Sequence, residues 1–563
     1  RIPEAMKEKL TLGMQVYVPF GRRNIKGYVV GLTDEPEFEV AKIKEIIGIA
    51  TDSVPIESQL IALAGWMKKN YGATMNHALK TVIPIKKKSN AVEHKSVRLK
   101  LTEIEAKSEL AEFERKHQKA RVRLLSALIE NPQMDQSMIT QKLNVSGTVI
   151  RALETMGIVE VVSERSYRNP VSHLDSKGYH LTLNEEQQSV VDVIERNLDQ
   201  KIAKTYLIKG VTGSGKTEVY MELIAHMLAQ GKQAIVLIPE IALTFQTVMR
   251  FYNRFGDRVS IMNSRLSQGE RFDQFERAKN GDVDIMIGPR SALFTPFSKL
   301  GLIIIDEEHE SSYKSETLPR YHARETAIER ARMCGASVVL GSATPSVESY
   351  YRAKTGEYEL LELKHRVAEK PLPKVEVVDL REELKAGNRS ILSVQLQELM
   401  EDRLKKGQQM MLFINRRGFN SFVSCRACGE AIKCPRCDVA LTYHQQTIQA
   451  QRQLVCHYCG YTTAMPKQCP SCKSNMIAGF GTGTEKVEEE IKKLFPAIKT
   501  LRMDRDTTMR KDAGARILKQ FAEGKADMLI GTQMIVKGHD YSNVTLVGVI
   551  LADLSLYAND YRA

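Results

Sequence analysis

The chain has 563 residues, 43% hydrophobic and 26% charged, a balance that excludes a disordered chain and implies about three to five domains rather than one core. Its densest apolar run, Leu302–Ile305, is far short of the ~20 residues of a membrane-spanning helix, and Arg1–Leu10 lacks the apolar stretch of a secretory signal, so no membrane association and a cytoplasmic location are expected. The net charge of +13 suits a polyanionic partner and a solvated basic surface equally well.

In chain order, short β-like runs at Gln15–Pro19 and Gly27–Val30 flank the turn-forming Phe20-Gly21-Arg22-Arg23 and predict a small β-rich domain over 1–85. The basic stretch Lys86–Asn90 reads as a linker. Within 86–165, Ile139–Leu143, a turn at Asn144–Gly147, Thr148–Met156 and a strand at Ile158–Val162 predict a winged helix-turn-helix. That element either binds DNA or is a helix pair that only packs. Beyond the polar stretch Ser163–Gly178, buried-strand runs alternate with amphipathic helices, the pattern of an α/β fold with parallel sheets.

Two motifs in the α/β region carry chemistry. Gly210-Val211-Thr212-Gly213-Ser214-Gly215-Lys216-Thr217 lies between a strand-like run, Thr205–Ile208, and a helical one, Glu218–Gln230. Glycines there let backbone N–H groups converge on phosphates at a helix N-terminus, with Lys216 on the β/γ-phosphates and Thr217 on Mg²⁺. About ninety residues on, the apolar Leu302–Ile305 ends in Asp306-Glu307-Glu308-His309, placing acids where an α/β sheet presents ligand sites. Asp306 is expected to hold Mg²⁺, and Glu307 to orient and deprotonate the attacking water. Together the pair predicts an NTP-hydrolysing core.

Eight of the nine cysteines fall in four Cys-x-x-Cys pairs: Cys425/Cys428, Cys434/Cys437, Cys456/Cys459 and Cys469/Cys472. Two such pairs complete a tetrahedral thiolate site, so two structural Zn²⁺ ions are expected within 424–475. The 18 residues between Cys437 and Cys456 suit a zinc ribbon, leaving Cys425/Cys428 to pair with Cys469/Cys472. Sequential pairing across the five residues between Cys428 and Cys434 is tighter but open, as is an iron–sulfur cluster.

Further segments stand in the order of the superfamily 2 helicase motifs: Pro239–Thr244, Gly288–Phe294, Gly341–Pro345 and Gly531–His539. Leu183-Asn184-Glu185-Glu186-Gln187 resembles the adenine-recognising segment of such motors. Three features narrow the resemblance to the PriA (primosomal protein N′) family of replication-restart DNA helicases, over nearly the whole chain. They are the aromatic-rich Ser311–Arg324 after the acids, Asn415-Arg416-Arg417-Gly418-Phe419 before the cysteines, and Val16–Arg23 with Gly27–Gly31 near the start.

That resemblance implies two RecA-like lobes, 181–362 and 363–563, with the zinc insertion in the second and the nested cysteine pairing. It implies ATP and Mg²⁺ as cofactors, Gln187 reading the base, and Gly538 at the nucleotide. Arg290 and Ser291 are expected on DNA. In the aromatic-rich loop, Tyr313, Tyr321 and His322 offer stacking faces, while Lys314, Arg320 and Arg324 offer phosphate partners. The implied activity is 3′→5′ translocation on single-stranded and forked DNA, serving primosome assembly and repair. Single-strand-binding protein and helicase-loading proteins are the implied partners, and a monomer is expected. A Phe-Asp-Tyr stretch is expected just before Arg1, and an arginine-rich motif with its finger after Ala563; Asn263 stands where the family more often has His. The alternatives are a superfamily 2 duplex translocase or RNA helicase, and a non-catalytic DNA-binding scaffold.

Overall fold

The computed structural model describes residues 1–21, 23–35, 39–50, 58–83, 92–141, 143–166, 182–240, 245–264, 266–367, 373–414, 423–445, 452–479, 483–504, 506–508, 513–535 and 541–553. The chain forms two units, 1–243 with 248–369, and 370–563 with 244–247. No helix among the described residues is long and apolar enough to cross a membrane.

At the start, Gln15–Phe20 and Arg23–Tyr28 form an antiparallel hairpin through a left-handed Gly21, and Gly48–Ile49 pairs on the other side of the first strand. The β character stops there. Ser58–Asn70 and Met75–Val82 are helices, and Leu60, Leu63, Ala64 and Met67 recur at helical spacing on a face buried in the core of the first α/β lobe. The segment read from sequence as β-rich to residue 85 is therefore β-rich only to about residue 50.

The helix pair of the winged element is present as Gln136–Gln141 and Gly147–Thr155, followed by the strand Val159–Ser166. It is more than a packed pair. Val92–Leu99 lies antiparallel between Val159–Ser166 and Gln133–Asp135, and two further helices, Glu103–Arg115 and Lys119–Glu130, close the core over Val97, Leu124, Ile139 and Ile150. A capping box, Thr102 with Glu105, fixes where the first of these helices begins.

In lobe one, seven strands lie in the order Glu359–Leu363, Thr205–Gly210, Ser337–Ser342, Leu300–Asp306, Gln233–Leu237, Ile285–Gly288 and Val259–Ile261, every pairing parallel. Helices cover both faces, so the central strands are buried on both sides and read as continuous apolar runs rather than alternating ones. This order brings Gly210, Asp306 and Ser342 to the same carboxyl edge on three neighbouring strands.

Lobe two has four parallel strands, ordered Thr500–Met503, Met528–Gly531, Gln409–Ile414 and Val544–Ile550, with helices Val394–Lys405, Thr484–Leu494 and Ala513–Ala522. The cysteine-rich insertion leaves after Gln409–Ile414. It pairs Val423–Cys425 with Ile477–Gly479 and builds an antiparallel sheet from Thr442–Gln445, Arg452–Val455 and Thr462–Ala464.

Candidate nucleotide site and cysteine clusters

The loop from Val211 to Gly215 joins the buried strand Thr205–Gly210 to the helix Lys216–Ala229. Gly213 and Gly215 have φ of 82° and 79°, a region a side chain rarely tolerates, and a Cβ on Gly215 would strike the Gln187 amide. Lys216 Nζ donates to the Gly210 carbonyl at 2.7 Å. Burial lowers its pKa, while Asp306 and Glu307 favour its charged form. Ser214 Oγ is buried with no hydrogen-bond partner among the described residues, and Thr217 is half-buried behind the lysine. An orphaned hydroxyl, a desolvated ammonium and a helix N-terminus fit a phosphate group.

Gln187 has a role at the loop that the sequence did not mark. Its Oε1 accepts from the Asn184 N–H and its Nε2 donates to the Ser214 carbonyl, both at 2.9 Å, in a side chain 3% exposed. The amide is engaged at both ends with backbone and clamps the phosphate loop. A second clamp escaped the sequence reading. Glu186 accepts from the backbone N–H groups of Lys364 and His365, and Val367 N–H donates to the Gly213 carbonyl at 3.0 Å.

At the acids, Asp306 Oδ1 accepts from the Tyr220 hydroxyl at 3.0 Å. Burial, helped by Glu307, lifts the Asp306 pKa to about 6 against the pull of Lys216. Glu307 sits at φ 50°, left-handed for a non-glycine residue, a strain of order 1 kcal/mol of the kind that gathers at functional sites. Its carboxylate lies 3.5 Å from His309 Nδ1, which is itself 2.7 Å from Ser342 Oγ. Glu308 turns inward. Its Oε2 accepts from Arg324 at 2.9 Å and from the Ser346 and Ser349 hydroxyls, and its Oε1 accepts from the Ser346 N–H. His309 thus joins the acid segment to the Gly341–Pro345 segment at Ser342, and Glu308 joins it to Ser346 and Ser349 just beyond. The serines at i, i+3 after Pro345 were the available sequence signal.

The aromatic-rich segment differs from expectation. Tyr313 and Tyr321 are only 1% and 4% exposed, so neither offers a face for base stacking. Tyr313 donates its hydroxyl to the carbonyls of Leu237 (3.0 Å) and Asp306 (2.7 Å), and Tyr321 packs edge-on against Phe294. The cause is the demand of buried strand-end carbonyls for donors, which a tyrosine meets while filling apolar space. His322 accepts from the Arg324 N–H, and burial lowers its pKa to about 4. Lys314 donates to the Arg320 carbonyl and lies over the Tyr71 ring, and Arg324 is buried on Glu308. Arg290, expected on DNA, donates to the carbonyls of Ser312 and Lys314, both at 2.8 Å, and braces the loop; Ser291 beside it is half-buried. Of these expected DNA contacts, Arg320 is the exposed one. Gly538, Lys537, His539, Asn415–Phe419 and residues 241–244 lie outside the described residues.

In the insertion, the sulfurs of Cys425, Cys428, Cys469 and Cys472 lie within 4.8 Å of one another, as do those of Cys434, Cys437, Cys456 and Cys459. The nested pairing holds and the sequential one does not. All four Cys-x-x-Cys turns are built alike. The first cysteine's N–H donates to the carbonyl five residues on (Glu430, Val439, Tyr461, Ser474), and the residue four on donates back. That returning residue is left-handed each time: Gly429, Asp438, Gly460 and Lys473. Eight thiols in two closed sets of four fit two tetrahedral zinc ions with no ligand position left over.

Residues 184–353 match the DEAD/DEAH box helicase family, residues 1–84 the PriA 3′ DNA-binding domain, and residues 434–463 the PriA DNA helicase cysteine-rich region. The chain is similar to the replication restart protein PriA of Bacillus subtilis, at 40% identity over all of this chain and 77% of that protein. It is similar also to those of Chlamydia pneumoniae (39%, over 93% of this chain and 70% of that protein) and Haemophilus influenzae (37%, over 98% and 75%).

Proposed function

The chain belongs to the PriA family of replication restart proteins, and on that premise we propose that it is an ATP-dependent DNA helicase that moves 3′→5′ and unwinds forked DNA to restart replication. The observation that carries the reading is the convergence of Lys216, Asp306 and Glu307 at one carboxyl edge of a parallel sheet, each coupled electrostatically to the others. Lys216 and the N–H groups of Gly213–Thr217 bind the β/γ-phosphates, and Gln187 and Val367 hold that loop in shape. Thr217 and Asp306 would hold Mg²⁺, which when bound neutralises phosphate charge. Glu307 orients the attacking water and takes its proton. His309 and Glu308 tie these acids to Ser342 and Ser346, so a change at the phosphates moves the Gly341–Pro345 segment.

The two zinc ions fold the insertion and take no part in hydrolysis. The N-terminal β domain and winged helix direct the motor to forks, with Arg320 a phosphate contact and Gly538 at the nucleotide. Single-strand-binding protein and helicase-loading proteins are the proposed partners, in the cytoplasm, with the motor acting as a monomer. The test is strand separation by the full-length protein on forks with 3′ or 5′ single-stranded arms and on the matching RNA duplex. ATP-dependent opening that needs a strand to track 3′→5′, and little on RNA, supports the reading; preference for RNA would favour the superfamily 2 RNA helicase.

A further inference from the structure

Tyr220 follows Lys216 by four residues on one helix, so its side chain leaves the same face one turn further from the phosphate loop. It is 1% exposed, and its hydroxyl reaches Asp306 Oδ1 at 3.0 Å. Across the sheet Asp306 is in register with Gly341. A Cβ built on Gly341 would fall on that same hydroxyl and within 2.7 Å of Tyr220 Cζ. The hydroxyl therefore occupies a space that only glycine leaves open. It is a point where the helix after the phosphate loop, the acid strand and the Gly341–Pro345 segment meet. From below, the Tyr313 hydroxyl holds the Asp306 carbonyl, so the backbone at this residue is fixed separately from its carboxylate.

We infer that Tyr220 is a positioning residue for Asp306, its hydroxyl fixing the direction in which the carboxylate faces a divalent cation and Gly341 keeping the hydroxyl in place. This rests on the reading of Asp306 as the Mg²⁺ acid. It goes beyond that reading by making cation affinity depend on the packing of the Gly341–Pro345 segment. A phenol suits the task because it stays neutral at ordinary pH and donates one directed hydrogen bond, where a lysine would add a competing charge.

The experiment uses the full-length protein and ADP carrying a fluorescent N-methylanthraniloyl group. Its affinity is measured in EDTA and across a Mg²⁺ titration, with Mn²⁺ binding followed in parallel by electron paramagnetic resonance. Tyr220→Phe keeps the ring and removes the hydroxyl. The expected result is unchanged affinity in EDTA and a Mg²⁺ midpoint raised about ten-fold, the effect of one lost hydrogen bond to a charged group. Gly341→Ala, which displaces the hydroxyl sterically, shifts the midpoint the same way. Asp306→Asn separates the two levels of the reading. A midpoint that Asp306→Asn leaves alone overturns the metal role of Asp306 and this inference with it. A midpoint that moves in Asp306→Asn but not in Tyr220→Phe overturns the inference alone. Equal loss of affinity with and without Mg²⁺ in Tyr220→Phe would mean the tyrosine supports only the loop, and also overturns it.

Discussion

The two α/β lobes share a scaffold down to single side chains and differ in what they carry. In lobe one the strand Ile285–Gly288 follows Asp284, and in lobe two Met528–Gly531 follows Asp527. Beside each, a buried glutamine opens the neighbouring strand and donates to the carbonyl just before that aspartate: Gln233 to Val283 and Gln409 to Ala526. Each strand ends in a glycine whose Cβ would strike a main-chain carbonyl, that of Met262 or Met503. Among the described residues, only lobe one places a phosphate loop, Lys216 and a pair of acids at its strand ends. Lobe two instead carries the cysteine-rich insertion after its strand Gln409–Ile414. The sheet supplies positions, and the residues at its carboxyl edge decide whether those positions do chemistry.

If that division holds, the lobes should fail independently. The largest effect is expected from stripping metal. A structural zinc site contributes roughly 10–16 kcal/mol to folding of its own module, so chelation or Cys437→Ser should unfold the insertion. Fluorescent ADP binding in lobe one should persist, and elemental analysis of the untreated protein should give two zinc and no iron. Loss of nucleotide binding on chelation would break the comparison.

Next comes Arg324→Ala, which leaves Glu308 charged and buried between two helicase segments. Removing one partner of a buried pair costs about 3–5 kcal/mol. Denaturant unfolding should show that loss in lobe one, with hydrogen exchange in the strands Gln409–Ile414 and Met528–Gly531 unchanged. Protection that falls equally in both lobes would contradict independence. The smallest effect sharpens the repeat. Gln409 donates to two carbonyls, Phe521 and Ala526, at 2.7 and 2.9 Å, whereas Gln233 donates to Val283 at 3.4 Å and accepts from the Lys299 N–H at 3.0 Å. Gln409→Ala should cost lobe two about 1–3 kcal/mol, and Gln233→Ala should cost lobe one less. The reverse order, read by local hydrogen exchange, would mean the glutamines are not equivalent braces.

What could be read from sequence follows the range of the forces involved. The phosphate loop was legible because its glycine spacing is local and its flanks switch from strand to helix within a few residues. The acid strand was legible because burial on both faces writes a continuous apolar run, Leu302–Ile305. Cysteine spacing marked the four pairs and suited the nested clusters, but it left the sequential pairing open until the sulfurs were placed. Tyr313 was not legible, because its partner carbonyl on Leu237 is 76 residues away, and an aromatic-rich basic stretch looks alike whether exposed or folded inward. The backbone contacts of Arg290 and Gln187 were not legible for a related reason: no sequence pattern marks the main-chain groups that their polar ends meet. The helix Ser58–Asn70 did announce itself through Leu60, Leu63, Ala64 and Met67, but the β-like runs before it masked the change.

The central claim is that the carboxyl edge of lobe one is where ATP is hydrolysed. It is met most directly by Lys216→Ala in the full-length protein, with forked-DNA affinity and DNA-stimulated ATP turnover measured on the same preparation. The geometry predicts turnover lower by about 10²–10³, the usual cost of removing one preorganised charge from a transition state, with fork affinity nearly unchanged. Turnover at the wild-type rate would show that the phosphates are held elsewhere in the chain.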